Sequence, residues 1–320
     1  MTRWPGIWRF TVRRLLIGLG QVAILLGLIF ALSLLMPGDA ADVQSTDLTT
    51  DAQRDRTRAA LGLDVAPVQR FLGWAGRALT GDLGTSYARG EPVSSVIAEP
   101  LLVSTVLAIL TTLLLIPVGF GAGFAAGLRP GSMRDRIITT VSIGLDSIPD
   151  FVLAVVLIAY LAIGWRLFPA TFVGVDAAKM MLHPTHLVLP LTVMVARVGA
   201  PLVRLVRAGV IDTMTAPYIV QARRHGVPRR SLLLRHVAPN ALAPAMQDLG
   251  RTGDSLLSGV LVVEAIFVMP GVATTLLDAI GNRDQPVILA VLLITGLAAI
   301  AVNGLIDLAG ARMVPSRAGT

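Results

Sequence analysis

Four ionisable residues lie within apolar runs where a charge is expensive: Asp146, Asp150, Arg197 and Glu264. At membrane depth such a group faces either a solute pathway or an opposite charge. Asp146 and Asp150 bracket Pro149, which is expected to break a helix. An acid there can cap the resumed helix or meet an amino group, and capping is the expectation. Arg197 and Arg204 fall on one helical face, so Arg197 can pair with Glu264 or line a path for a carboxylate. Structural pairing is the expectation. His183 and His186 form H-x-x-H, but two imidazoles lack the third or fourth ligand of a tight site, so no metal is expected. Nothing in the chain reads as a catalytic residue. The absence of cysteine excludes disulfides, thiolate ligands and Cys nucleophiles. The one lysine, Lys179 in VDAAKMM, rules out a G-x-x-x-x-G-K-[ST] phosphate loop. If ATP is used, another chain hydrolyses it.

The elements that position these residues are apolar. Of 320 residues, 54% are hydrophobic and 15% charged, and the mean hydropathy is +0.73, beyond an ordinary soluble domain. A bilayer core of about 30 Å needs roughly 20 apolar helical residues. Six runs qualify, near 15–36, 102–127, 137–164, 187–206, 254–274 and 287–310. The first is too long for a signal-peptide core and reads as a retained anchor, preceded by an interfacial mix of Arg3, Trp4, Trp8, Arg9 and Phe10.

The formal charge of +7 raises nucleic-acid binding, but the arginines are distributed by side. They crowd the N-terminus, the 129–136 connection and the 204–251 segment, whereas 37–100 carries more acids than bases. Basic flanks are retained in the cytoplasm, so both termini are expected inside and nucleic acid is not a partner. The expected organisation is a 1–14 cytoplasmic segment, a 15–36 span, a helical extracytoplasmic segment at 37–100, a 101–312 core of five spans with a cytoplasmic loop at 207–250, and a 313–320 tail. Within 37–100, Thr50 can cap a helix that stops at Gly62. Val68, Phe71, Leu72, Ala75 and Leu79 recur at helical spacing, and GDLGTS at 81–86 reads as a turn.

One stretch is neither span nor ordinary loop: PYIVQARRHGVPRRSLLLRHVAPNALAP, 217–244. Pro217 suits a helix start, Gly226 a left-handed cap, and Pro228 a second start. Two short helices at an angle would present Tyr218, small Ala222 and Arg223, Arg224, Arg229 and Arg230. Such an element can lie in an acidic partner's groove, or can simply be a solvated basic loop obeying topology.

This stretch resembles the coupling loop of ABC-importer permeases, E-A-A, three residues, G, nine residues, I-x-L-P. Ala222, Gly226 and Pro239 match; Val220, Gln221, His236 and Ala238 depart. The degenerate form is similar to the dipeptide/oligopeptide/nickel branch, with Tyr218, Ala222, Arg223, Gly226, Asn240, Ala241, Leu242 and Pro244 in place. The resemblance runs through RRLL at 13–16, MPGDA at 36–40, LGLD at 61–64, SIPDFVLAVVLI at 147–158, HLVLPLTV at 186–193, LLDAIGNRDQPVI at 276–288 and N-x-x-x-D at 303–307.

It implies an all-α membrane protein of the type I ABC importer permease fold, half of a translocation pore for di- or oligopeptides in the bacterial inner membrane. The implied partners are a homologous second permease, two ABC ATPases, an extracytoplasmic binding protein and membrane lipid. No cofactor is expected on this chain; ATP and magnesium belong to the ATPases. Nickel or another small solute is the alternative cargo. The alternative class is an autonomous ion-coupled transporter running through Asp146, Asp150, Arg197 and Glu264. An intramembrane protease is disfavoured because no G-x-S-x-G lies in a span.

Overall fold

The computed structural model describes residues 5–45, 49–174, 180, 182–242, 244–245 and 260–313, with side-chain surroundings described from residue 12 to residue 304. Among these residues the chain is helical, and its one β contact is an isolated bridge between Thr85 and Pro92. Four helical stretches are long and apolar enough to cross a membrane: Val12–Leu35, Val93–Gly127, Pro184–Thr215 and Gln285–Gly304. A fifth is a pair, Met133–Ser147 and Asp150–Gly164, bent by 105°. The run expected at 137–164 is therefore broken, because Ile148 before Pro149 is extended (ψ 125°) and interrupts the helical ladder.

The start of the run expected at 254–274, residues 254–259, lies outside the described residues. What is described corrects its end. A short helix over 260–266 gives way to a turn, and Gly271 starts a separate helix, Val272–Gly281. The Thr274 hydroxyl closes that cap by accepting from the Gly271 amide at 3.1 Å, so one uninterrupted span to residue 274 is not formed.

Two compact units share the chain. The first comprises Met1–Ser104 with Pro270–Ile300. It holds α1 (Pro5–Leu35), α2 (Ala40–Val43), α3 (Asp51–Ala60), α4 (Pro67–Ala78), the start of α5 (Val93–Leu115), α13 (Val272–Gly281) and most of α14 (Gln285–Met313). Val22, Leu26 and Phe30 recur every four residues on α1 and bury against Trp74 of α4 and Leu289 of α14. Val93, Val96 and Ile97 of α5 pack on α13 and α14. The opposite flank of α1 stays exposed at Leu16, Ile24 and Leu28, as a lipid-facing surface does.

Thr50 caps α3 through Gln53, and Gly62 follows at φ +66°, as the sequence predicts. The apolar stripe of α4 differs. Phe71 and Ala75 face the core, but Val68, Leu72 and Leu79 are exposed, and the buried anchor is Trp74, whose Nε1 donates to the Leu83 carbonyl at 3.1 Å. The indole needs both burial and an acceptor, and α4 supplies the first while the 81–86 turn supplies the second. That turn is held by buried Asp284, which accepts from the Ser86 hydroxyl and from the Tyr87 and Ala88 amides at 3.1 and 3.2 Å.

The second unit, Thr105–Met269 with Ala301–Thr320, is organised on α9 (Pro184–Thr215). Around it lie the end of α5, a wider π-type turn at Ile116–Gly121 containing Pro117, α6 (Ala122–Gly127), α7 (Met133–Ser147), α8 (Asp150–Leu157), α10 (Pro217–Arg224), α11 (Arg229–Ser231) and α12 (260–266). Gly123 and Gly127 let α6 lie directly on α9. A Cβ at Gly123 would sit 2.6 Å from the Val203 carbonyl oxygen, and one at Gly127 2.8 Å from that of Arg207. Small residues at this spacing permit backbone-to-backbone packing.

Candidate functional site: a basic elbow on a charge-braced helix

Ala216 is extended (ψ 140°), which ends α9 and lets Pro217 begin α10 in a new direction. α10 closes on Gly226 at φ +75°, whose amide donates to the Arg223 carbonyl while Val227 donates to that of Ala222. Pro228 then opens α11, which runs on through a π-type segment, Leu232–Val237. The predicted angled pair of short helices is therefore present.

What anchors the elbow is a residue the motif does not mark. Ile219 is fully buried with Leu232, Val237 and Ala241 against Leu202, Val206 and Val210 of α9. Ala222 and Val227 pack on this cluster from its edge. An alternation of apolar positions 219, 222 and 227 was available in the sequence, but the arginines between them mask it.

The opposite side is open. Tyr218 is half exposed, and Arg223, Arg224, Gly226, Arg229 and Arg230 are exposed. Among the described residues none of these four arginines has a carboxylate within ion-pair reach. One face of the elbow is thus welded to α9 by apolar burial, and the other is an exposed cationic surface with an aromatic ring.

The intramembrane charges resolve differently from expectation. Pro149, not an acid, occupies the N-cap of α8, and no side chain caps that helix. Asp150 lies one residue further on and meets Arg197 Nη1 at 3.4 Å, so the carboxylate beside Arg197 is Asp150. Asp146 accepts from Arg204 Nη2 at 2.6 Å. The break at Pro149 turns the two acids toward α9, where opposite charge satisfies them better than helix termini would.

A third pair completes the series. Asp135 at the start of α7 receives both Nε and Nη2 of Arg207, the latter at 2.8 Å, and also the Gly131 amide at 2.8 Å and the Thr139 hydroxyl at 3.2 Å. Its side chain is 4% exposed. Asp135, Asp146 and Asp150 thus meet Arg207, Arg204 and Arg197 in antiparallel order, bracing both limbs of the bent pair to α9. Glu264 is fully buried on α12.

His186 is held by packing. Its Nδ1 is 3.0 Å from the Thr171 carbonyl oxygen, and its ring stacks obliquely on Phe172, with His183 edge-on at 5.9 Å. Among the described residues no third His, Cys, Asp or Glu joins them as a metal ligand.

A chain built of lipid-length helices, with a buried elbow whose outer face is cationic, has relatives of known type. Along 96% of its length it is 32% identical to a Brucella ovis protein named as a peptide permease, covering 98% of that protein. It is 31% identical over 94% of its length to a Sinorhizobium fredii protein named as a peptide ABC transporter permease, covering 96% of it, and 29% identical over 96% to the glutathione transport system permease protein of Escherichia coli, covering 98%. The family model described as the binding-protein-dependent transport system inner membrane component matches residues 115–318, which include α9, the elbow and the ion-pair ladder. The chain belongs to this family and is a multi-pass inner-membrane permease component of an ABC transport system, a transport subunit and not itself a catalyst.

Proposed function

We propose that the chain forms half of the translocation pore of an ATP-driven importer of di- or oligopeptides, with the elbow at 217–244 as the contact to a separate ATPase. The observation that carries this reading is the division of the elbow into a buried anchor, Ile219, and a cationic rim, Arg223, Arg224, Arg229 and Arg230. A topology signal alone needs the charges but not the apolar weld to α9. The relatives' names support the peptide cargo; nickel or another small solute is the alternative.

In this reading the chain crosses the membrane six times with both termini inside, pairs with a homologous permease, and works with two ATPases and an extracytoplasmic binding protein. ATP and magnesium belong to the ATPases. ATPase closure pushes Tyr218, Ala222 and Gly226 with the arginine rim, and α9 carries the motion to the pore, with Asp146, Asp150, Arg197 and Glu264 as the intramembrane charges that keep the helices in register.

The test is uptake of a labelled dipeptide by proteoliposomes holding both permeases, with and without the ATPases and the binding protein. Uptake is expected only with ATP and every component. Gradient-driven uptake by the permeases alone would establish the autonomous ion-coupled alternative.

A further inference from the structure

Within the first unit, the end of α1 and the adjoining ends of α13 and α14 enclose a cavity of about 320 Å³. Its wall has a direction. At one end lie Arg70 and Arg283; at the other, Ile29 and Leu32 of α1 and Ile288 and Leu292 of α14, all within or beside stretches long and apolar enough to span a bilayer. The polar end falls where α1 stops and α14 starts, the level of a membrane boundary.

Both arginines carry an unmet donor. Arg283 Nη2 donates to the Pro37 carbonyl at 3.0 Å, but its Nη1 is buried with no hydrogen-bond partner. Arg70 Nε is buried and equally unpartnered, the guanidinium standing 6.0 Å from the Phe30 ring centroid. A guanidinium nitrogen withdrawn from water without an acceptor is costly. Arg283 is moreover held at φ +56°, a conformation that favours glycine, so its side chain is placed there against a backbone preference. The nearby Asp39 does not answer the two cations. Its carboxylate is taken by Arg58 Nε at 2.7 Å and by the Ala41 and Asp42 amides. The Ser33 hydroxyl donates to the Phe30 carbonyl and accepts from Gln285 Nε2 at 2.8 Å.

We propose that this cavity binds an anionic phospholipid, the phosphate between Arg70 and Arg283 and the upper acyl chain along Ile29, Leu32, Ile288 and Leu292. The oxygens of a phosphate accept from several guanidinium nitrogens at once, which suits arginine's planar fork of donors. The apolar end distinguishes a lipid from a free oxyanion, which would gain nothing from it. The inference rests on the membrane location of the chain and not on the identity of its cargo.

The test uses the assembled transporter, purified in detergent and exposed to equal phosphatidylglycerol and diacylglycerol of the same acyl chains, with retained lipid read by native mass spectrometry. Phosphatidylglycerol should be retained about tenfold over diacylglycerol, the difference expected of one charge-assisted contact. Arg70→Gln with Arg283→Gln should abolish that preference, and Ile280→Trp, which fills the cavity and keeps both arginines, should abolish retention of either lipid. Equal retention of the two lipids by the unaltered complex would overturn the proposal without recourse to any variant. Displacement of the lipid by millimolar inorganic phosphate would assign the arginines to a free oxyanion and overturn it as well.

Discussion

Arg207 grips Asp135 with two guanidinium nitrogens, joining the first turn of α7 to the C-terminal third of α9. A pair so enclosed is worth more in what its loss exposes than in what its presence adds. Arg207→Leu should therefore destabilise the complex by about 3 kcal/mol, the lower end for a buried pair because Arg207 keeps some solvent contact. Adding Asp135→Asn should recover part of it, since the abandoned charge is gone. Thermal unfolding of the detergent-solubilised complex measures both.

Gly226 separates geometry from bulk. An added Cβ would meet nothing within 4 Å, so Gly226→Val acts chiefly by placing a β-branched residue at φ +75°. The strain is about 1–2 kcal/mol. We expect normal membrane assembly with ATP hydrolysis uncoupled from uptake, and a milder effect for Gly226→Asn, which tolerates this region. Unchanged solute transported per ATP in the valine variant would exclude the elbow as the lever.

The arginine rim predicts salt sensitivity. Replacing Arg223 and Arg229 with Glu should weaken association with the ATPase at least about tenfold at low ionic strength and less at high salt. The distinguishing measurement is co-purification across a salt series; a loss independent of salt would point to misfolding of the elbow.

Much of this was open to reading beforehand, and the reasons differ by element. The α3 cap at Thr50 and the Gly226 junction were legible because they are local, each fixed by the chemistry of a few neighbouring residues. The elbow's cationic rim was legible for the same reason. Asp135 was not, because in the run Arg134-Asp135-Arg136 it reads as one charge of a basic connection, and only α9 passing alongside makes it a buried partner. Pro149 announced a break but not its 105°, nor that two acids would meet arginines of α9. Trp74 was not legible as the anchor because a stripe of other apolar residues on α4 satisfies the helical period without saying which side is covered.

Asp284 carries a different liability. Its carboxylate gathers a hydroxyl and two amides from the 86–88 segment, so Asp284→Ala would strand all three donors at a cost of about 2 kcal/mol. Hydrogen exchange should rise across 81–92 and leave α9 unchanged.

Acid should loosen the segment after α1. Burial alone would raise the Asp39 carboxyl, but the hydrogen bond from Arg58, together with those from the Asp42 and Ala41 amides, holds it below the ordinary 3.8. A depressed carboxyl stabilises the fold above its unfolded value and loses that contribution as pH falls through the folded one. Protection of 39–62 should thus persist down to pH 3.8 and decline below it. In Arg58→Gln the carboxyl moves back up, so protection at neutral pH should be lower and its further decline in acid shallower, as limited proteolysis across a pH series would report.

Gly123 and Gly127 set backbone against backbone, and that has a mechanical meaning. Where helices meet through long side chains, a small displacement is absorbed by rotamer changes before it travels. Between α6 and α9 there is little such upholstery: the two glycines rest on the Val203 and Arg207 carbonyl oxygens and on the stiff, β-branched side chains of Val206 and Val210. A contact of that kind leaves little slack between α9 and α6.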